Sequence, residues 1–149
     1  MAHLAELGQH REMNEPKLST PRGAFPHLCR VGDLVFVSGT SARQVDDSIV
    51  GATTDARGTA TLDMAAQTAA VLDNVEAVLA TVGLDRRHIV DATSFLVNMN
   101  DFGPYNKVWA EFFSGMEGPA RTTVAVHQLP HPHLLIEIKA IASFGGKDE

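Results

Sequence analysis

Cysteine is almost missing from this sequence of 149 residues: Cys29 stands alone. One thiol cannot close an intrachain disulfide, so the fold rests on burial, and a reducing compartment fits. Cys29 itself reads as a small buried apolar residue rather than a nucleophile. No stretch reaches the roughly 18 consecutive apolar residues of a membrane-spanning helix. The first twenty residues have neither the apolar centre of a signal peptide nor the arginine-rich pattern of a transit peptide. The expectation is a cytoplasmic protein with no membrane partner. Basic runs are missing too: 12 Lys and Arg face 18 Asp and Glu, a net charge of −6. An acidic surface repels phosphate backbones, which argues against a nucleic-acid partner. There is no phosphate loop and no dinucleotide glycine fingerprint. Ser38-Gly39 follows a strand but lacks the Gly-x-Ser-x-Gly elbow of a serine hydrolase.

What is present is one domain's worth of chain, with 44% apolar residues. Residues 1–20 are polar and end at a proline-flanked segment. They read as an N-terminal extension, partly helical over 4–13, that orders against a neighbour. Residues 21–149 read as a single domain. Residues 28–31 and 34–38 flank Gly32-Asp33 as strand, tight turn, strand. Ile49-Val50 adds a short third strand. Residues 64–82 place Met64, Thr68, Val71, Leu72, Val75, Val78, Leu79 and Val82 at helical spacing. Asp63 stands at the N-cap and Gly83 just past the end. The opposite face carries Gln67, Asp73, Asn74 and Glu76. A strand over 89–99 follows. Asp101 then caps a second helix, whose aromatic residues (Tyr105, Trp109, Phe112 and Phe113) read as core.

Residues 121–129 and 134–144 are β-rich, and Pro130-His131-Pro132-His133 between them reads as a hairpin loop. The order is β-β-(β)-α-β-α-β-β. With both helices on one face of a mixed sheet, this is an α+β two-layer domain. The other sheet face has no cover within the chain, so the protein is expected to oligomerise through it.

Two residues interrupt the β patterns with chemistry. Glu137 lies between Ile136 and Ile138, on the face shared with Leu135, Lys139 and Ile141. A carboxylate there is costly unless paired, and an ion pair with Lys or Arg is its simplest explanation. Arg121 opens its strand, with Thr123 on the same face; its guanidinium can fork onto a carboxylate. If the two strands form one hairpin, both residues reach one region. A cation to hold a carboxylate and a carboxylate to orient water make a hydrolytic pair. His27, His127, His131 and His133 bring no thiolate or carboxylate at metal-ligand spacing, so no metal is expected.

These residues also carry a resemblance. Gly118 to Val126 (Gly-Pro-Ala-Arg-Thr-Thr-Val-Ala-Val), Leu129-Pro130 and Ile136-Glu137-Ile138 resemble the C-terminal signature of the RidA (YjgF) family. Val37-Ser38-Gly39 resembles its early strand-end motif. Asn98-Met99-Asn100-Asp101-Phe102, with Asn106 beyond, resembles its segment before the second helix. The likeness covers roughly residues 21–144. Within the family it is greatest to the 2-aminomuconate deaminases, through Pro21 to His27, Val97 to Phe102 and Val126 to Ile138.

The resemblance implies a chorismate-mutase-like fold and a homotrimer with pockets between subunits. It implies hydrolysis of an enamine or imine without metal or organic cofactor, here of a small dicarboxylate. By position, Arg121 would bind the α-carboxylate and Glu137 would position water. Phe25, Gly39, Asn106 and Thr123 would line the pocket. The second carboxylate would look to His131, His133, His27 and Arg22. Phe25 stands where typical members have tyrosine, and Thr123 where many have cysteine. The loop before Glu137 is one residue longer than usual. These departures point away from 2-aminoacrylate towards a larger substrate. A general enamine/imine deaminase, a non-catalytic binding module and a ribonuclease are the rival readings.

Overall fold

The computed structural model describes residues 18–148. The helix expected at 4–13, and most of the extension to which it belongs, lies outside the described residues. The chain runs β1 (Leu28–Val31), β2 (Leu34–Thr40), β3 (Ala52–Thr54), β4 (Ala60–Leu62), α1 (Met64–Ala80), β5 (Ile89–Leu96), α2 (Phe102–Phe112), β6 (Ala120–Ala125) and β7 (Ile136–Ser143). Five strands form one mixed sheet in the order β1-β2-β7-β5-β6. Every neighbour is antiparallel except β5 and β6, which run parallel. A parallel pair needs a crossover, and α2 supplies it.

The alternation of each strand decides which face meets the helices. Val35 and Val37 of β2, Ile136, Ile138, Ala140 and Ala142 of β7, and Ala92, Ser94 and Leu96 of β5 all lose their solvent. They pack against Val71, Leu72, Val75, Val78 and Leu79 of α1 and Tyr105 and Trp109 of α2. Each fully buried large side chain contributes about 1.5–3 kcal/mol, so this one core holds the two layers together. Asp63 caps α1 by accepting from the Ala66 N–H at 3.0 Å, and Gly83 follows its end at φ +78. At the far end of α1, Glu76 grips Arg86 through both carboxylate oxygens, at 2.6 and 2.8 Å. Arg86 also donates to the Phe112 carbonyl, which ties the two helices.

The opposite sheet face carries Phe36, Phe95 and Ile141, each half-buried, with Val31, Leu34 and Val124 exposed. Nothing among the described residues covers them. Among the described residues no helix is long and apolar enough to cross a membrane.

Five sequence expectations need correction. The third strand is not Ile49-Val50: Ile49 makes only one isolated bridge, to Arg43, and β3 pairs instead with β4 in a separate ribbon. The Asp55 carboxylate accepts from the Arg57 and Thr59 N–H groups and shapes the turn of that ribbon. The β6 and β7 strands are not a hairpin, because β5 lies between them. The ten residues from 126 to 135 are enough to step across one strand. Gln67, placed on the polar face by its chemistry, is wholly buried. Asp101 makes no capping bond; Asn98 instead caps a 3₁₀ turn, accepting from the Asn100 N–H at 2.9 Å. Cys29 is exposed, because β1 is an edge strand and Cys29 faces its uncovered side.

Candidate active site

Glu137 stands on the uncovered face, opposite Phe95 in the register. Between Val37 and Thr40, β2 gains one residue over β7, so Ser38-Gly39 forms a bulge beside it. The bulge brings Gly39 so close that a Cβ there would lie 2.5 Å from a Glu137 carboxylate oxygen. Only glycine leaves that oxygen its place. Ser38 donates its hydroxyl to the Pro26 carbonyl at 2.8 Å, and its N–H to the His27 carbonyl. These bonds hold Phe25 and His27 against the bulge.

Together these residues wall a cavity of about 160 Å³, lined also by Arg22, Arg43, Ser41 and Leu134. Glu137 is half-buried and makes neither an ion pair nor a hydrogen bond among the described residues. Burial pushes its carboxyl pKa above the ordinary value. The expected ion pair is therefore not what keeps Glu137 there.

The loop before β7 flanks this cavity. Gln67 clamps it from α1, donating to the His133 carbonyl at 2.7 Å and accepting from the Leu135 N–H at 2.9 Å. Within the loop, the His133 N–H donates to Nδ1 of His131 at 3.0 Å, which leaves the proton of His131 on Nε2. Burial, then the positive charge of His133, Arg43 and Arg22, pushes the His131 pKa down.

Arg121 lies elsewhere. Its register partner is Ala92, a core residue on the helix-bearing face. The guanidinium donates to the side-chain oxygen of Asn106 at 3.0 Å. It lies 5.0 Å from the ring centre of Trp109 and 5.1 Å from that of Tyr105. Behind it, the Tyr105 hydroxyl joins Ser94 at 2.7 Å and Thr123 at 2.9 Å. A cation on an aromatic floor, with an amide oxygen fixing its plane, has the form of a clamp able to take a carboxylate.

The structure thus sorts the expected site residues into two groups. Phe25, Gly39, His27, Arg22 and Glu137 share the cavity, with His131 and His133 in the loop beside it. Arg121, Asn106 and Thr123 form the clamp, at an edge strand and on the opposite sheet face. Within one chain the two groups do not meet.

Sequence reading overlooked Arg43 and Gln67. Arg43 follows a small-residue run directly after the glycine-broken strand, which was the available signal. Its position depends on Asn74, whose side-chain NH₂ donates to the Ser41 and Arg43 carbonyls at 2.9 and 3.0 Å. Gln67 had no signal beyond its spacing in α1. Among the described residues no three His, Cys, Asp or Glu side chains converge as a metal site would require.

The architecture is that of known structures. The YjgF gene product of Escherichia coli matches with a TM-score of 0.72 at 30% identity, over 87% of this chain and 94% of that one. TdcF of the same organism, solved with bound serine, matches with a TM-score of 0.72 at 28% identity, over 86% and 94%. In sequence, a RutC family protein of Pyrococcus horikoshii is 35% identical over 131 residues, 87% of this chain and 91% of the relative. The family model described as Endoribonuclease L-PSP matches residues 15–144. The chain belongs to this RidA/YjgF/RutC family.

Proposed function

We propose that the protein is a hydrolytic deaminase of enamines and imines that carry a carboxylate beside the nitrogen-bearing carbon, and that its substrate is 2-aminomuconate. The observation that carries this reading is Glu137: a half-buried carboxyl group with raised pKa and no partner among the described residues, opening onto a cavity. Such a group is suited to taking up and returning a proton. Serine bound to the relative TdcF shows that at least one family member accepts a small carboxylate ligand.

The site is completed between two copies of the chain. Arg121 sits at the edge strand β6 and Glu137 on the uncovered face, so a neighbour's clamp must close over this chain's cavity. The apolar residues of the uncovered face give the copies a reason to associate, and the family resemblance supports a homotrimer.

In the reaction, Arg121 of one copy forks onto the carboxylate beside the amino-bearing carbon and keeps the adjacent C=N bond electron-poor. Protonation at the neighbouring carbon converts the enamine to the iminium. Water held by Glu137 of the next copy adds to the C=N carbon and gives its proton to the carboxylate. The carbinolamine takes that proton on nitrogen, expels ammonia and releases its hydroxyl proton to solvent, which replaces the proton taken up at carbon and leaves a keto diacid. One water is consumed and one ammonia released. Proton movement, a charge clamp and a positioned water are all the chemistry this requires.

The test is ammonia release from enzymatically generated 2-aminomuconate, followed beside the loss of ultraviolet absorbance and corrected for spontaneous hydrolysis. Glu137→Ala and Arg121→Ala are each expected to lose about 10²–10⁴ in rate. Acceleration on 2-aminoacrylate alone would reassign the protein to general enamine/imine deamination. Acceleration on neither substrate would contradict the proposal.

A further inference from the structure

Arg43 is the unexplained residue of the cavity. Its backbone is fixed: the carbonyl accepts from Asn74, the N–H donates to Ser41 Oγ at 3.3 Å, and the residue bridges Ile49. Arg43 lines the Glu137 cavity. Its Nη1 is buried, yet it has no hydrogen-bond partner among the described residues. A guanidinium nitrogen taken from water without an acceptor costs several times what a paired one does. A protein keeps that arrangement where an acceptor arrives from outside.

The surroundings narrow the acceptor to an anion. Arg22 lines the same cavity. Its salt bridge to Asp47, 3.2 Å long, has both side chains more than half exposed, so the bond is weak and leaves Arg22 available. His131 feels the charge of both arginines and keeps an N–H on Nε2. Among the described residues lining the cavity, Glu137 is the only carboxylate. The protein is acidic as a whole, with net charge −6, so a cavity with two arginines runs against its surface.

We propose that Arg43, assisted by Arg22 and the Nε2–H of His131, is a second anion-binding subsite that makes the protein select substrates with a carboxylate at each end. The inference rests on the deaminase reading for its bearing on turnover, whereas binding can be tested without any reaction. Arg121 would hold the carboxylate beside the reacting carbon, and Arg43 the distal one. Glu137 lies in the same cavity as Arg43, so a substrate held at both ends passes its middle before the water-positioning group. Arg43 is then a specificity-determining residue.

The test uses two unreactive acids with the same six-carbon diene chain. In trans,trans-muconate both ends are carboxylates; in sorbate one carboxylate is replaced by methyl. Each is titrated calorimetrically into the assembled full-length wild type, Arg43→Gln and Arg43→Lys, with the thermal midpoint confirming that each variant is folded. The wild type is expected to prefer muconate by about tenfold or more. Arg43→Gln should weaken muconate about 10–100-fold and bring the preference close to unity, while Arg43→Lys, keeping the charge without the fork, should retain part of it. In turnover, Arg43→Gln should raise KM for the dicarboxylate substrate more than it lowers kcat. Equal wild-type affinity for the two acids, or an undiminished preference in Arg43→Gln, overturns the subsite. A preference for muconate that Arg43→Gln removes, in a protein that releases no ammonia from 2-aminomuconate, upholds the subsite and removes the deaminase reading.

Discussion

The Arg121 clamp and the Glu137 cavity are finished to different degrees. At the clamp each side chain has a partner within the chain: one guanidinium nitrogen of Arg121 on Asn106, and the Tyr105 hydroxyl between Ser94 and Thr123. At the cavity the two groups of greatest chemical interest have none among the described residues. The Glu137 carboxyl is half-buried without a donor, and the Arg43 Nη1 is buried without an acceptor. A satisfied network fixes geometry, whereas an unsatisfied one waits for a ligand. The difference teaches that the chain builds one half of its proposed site rigidly and leaves the other for substrate, water and a neighbouring copy to complete.

The contrast can be broken from the cavity side with the largest effect. In Gly39→Ala the new methyl would displace the Glu137 carboxylate, the end of a flexible side chain. Activity should fall about 10–100-fold while stability changes by less than about 1 kcal/mol. Chemical denaturation beside the ammonia assay measures both, and a variant that loses stability but not activity would mean that Glu137 does not act from this position.

The clamp should respond the other way. Tyr105→Phe leaves the buried Ser94 hydroxyl without its partner and loosens Thr123 behind Arg121. A stability loss of about 1–2 kcal/mol is expected in urea unfolding, with a smaller change in rate. No stability loss would mean that the clamp is not built on this network.

The smallest effect concerns pH. The fold raises the Glu137 pKa, so it favours the protonated carboxyl and bears a cost when the group is ionised. That cost is present above the folded-state pKa and vanishes below the unfolded one. Glu137→Gln should therefore raise the thermal midpoint by about 1–2 °C near pH 7, and the gain should disappear as pH falls towards about 4. A gain that persists in acid would mean that ionisation of Glu137 is not its source.

Much of the fold could be read in advance, and the reasons are local. α1 carries its own helical spacing and caps, and the alternation along β7 decides which face is buried. The pairing of strands is another matter. Residues 121–129 and 134–144 look like a hairpin because they are neighbours in sequence, yet β6 finds β5 in parallel once α2 has crossed over. That pairing depends on the whole sheet and separates Arg121 from Glu137. Both residues stood out in the sequence because charged groups interrupt β patterns. Arg43 did not, because only the Asn74 tether and the bridge to Ile49 place it in the cavity. Gln67 failed for a related reason: a residue chosen for its hydrogen bonds to a distant loop looks like any polar surface residue within its own helix.

The central claim is that Arg121 of one copy and Glu137 of another make one site, and mixing tests it. Arg121→Ala and Glu137→Ala proteins, each inactive alone, are denatured together in equal amounts, refolded and assayed for ammonia release from 2-aminomuconate. Random reassembly into trimers restores one intact site in every mixed trimer, so about a quarter of wild-type activity should return. Mixed assemblies, confirmed by distinct affinity tags on the two proteins, that recover nothing would contradict the claim.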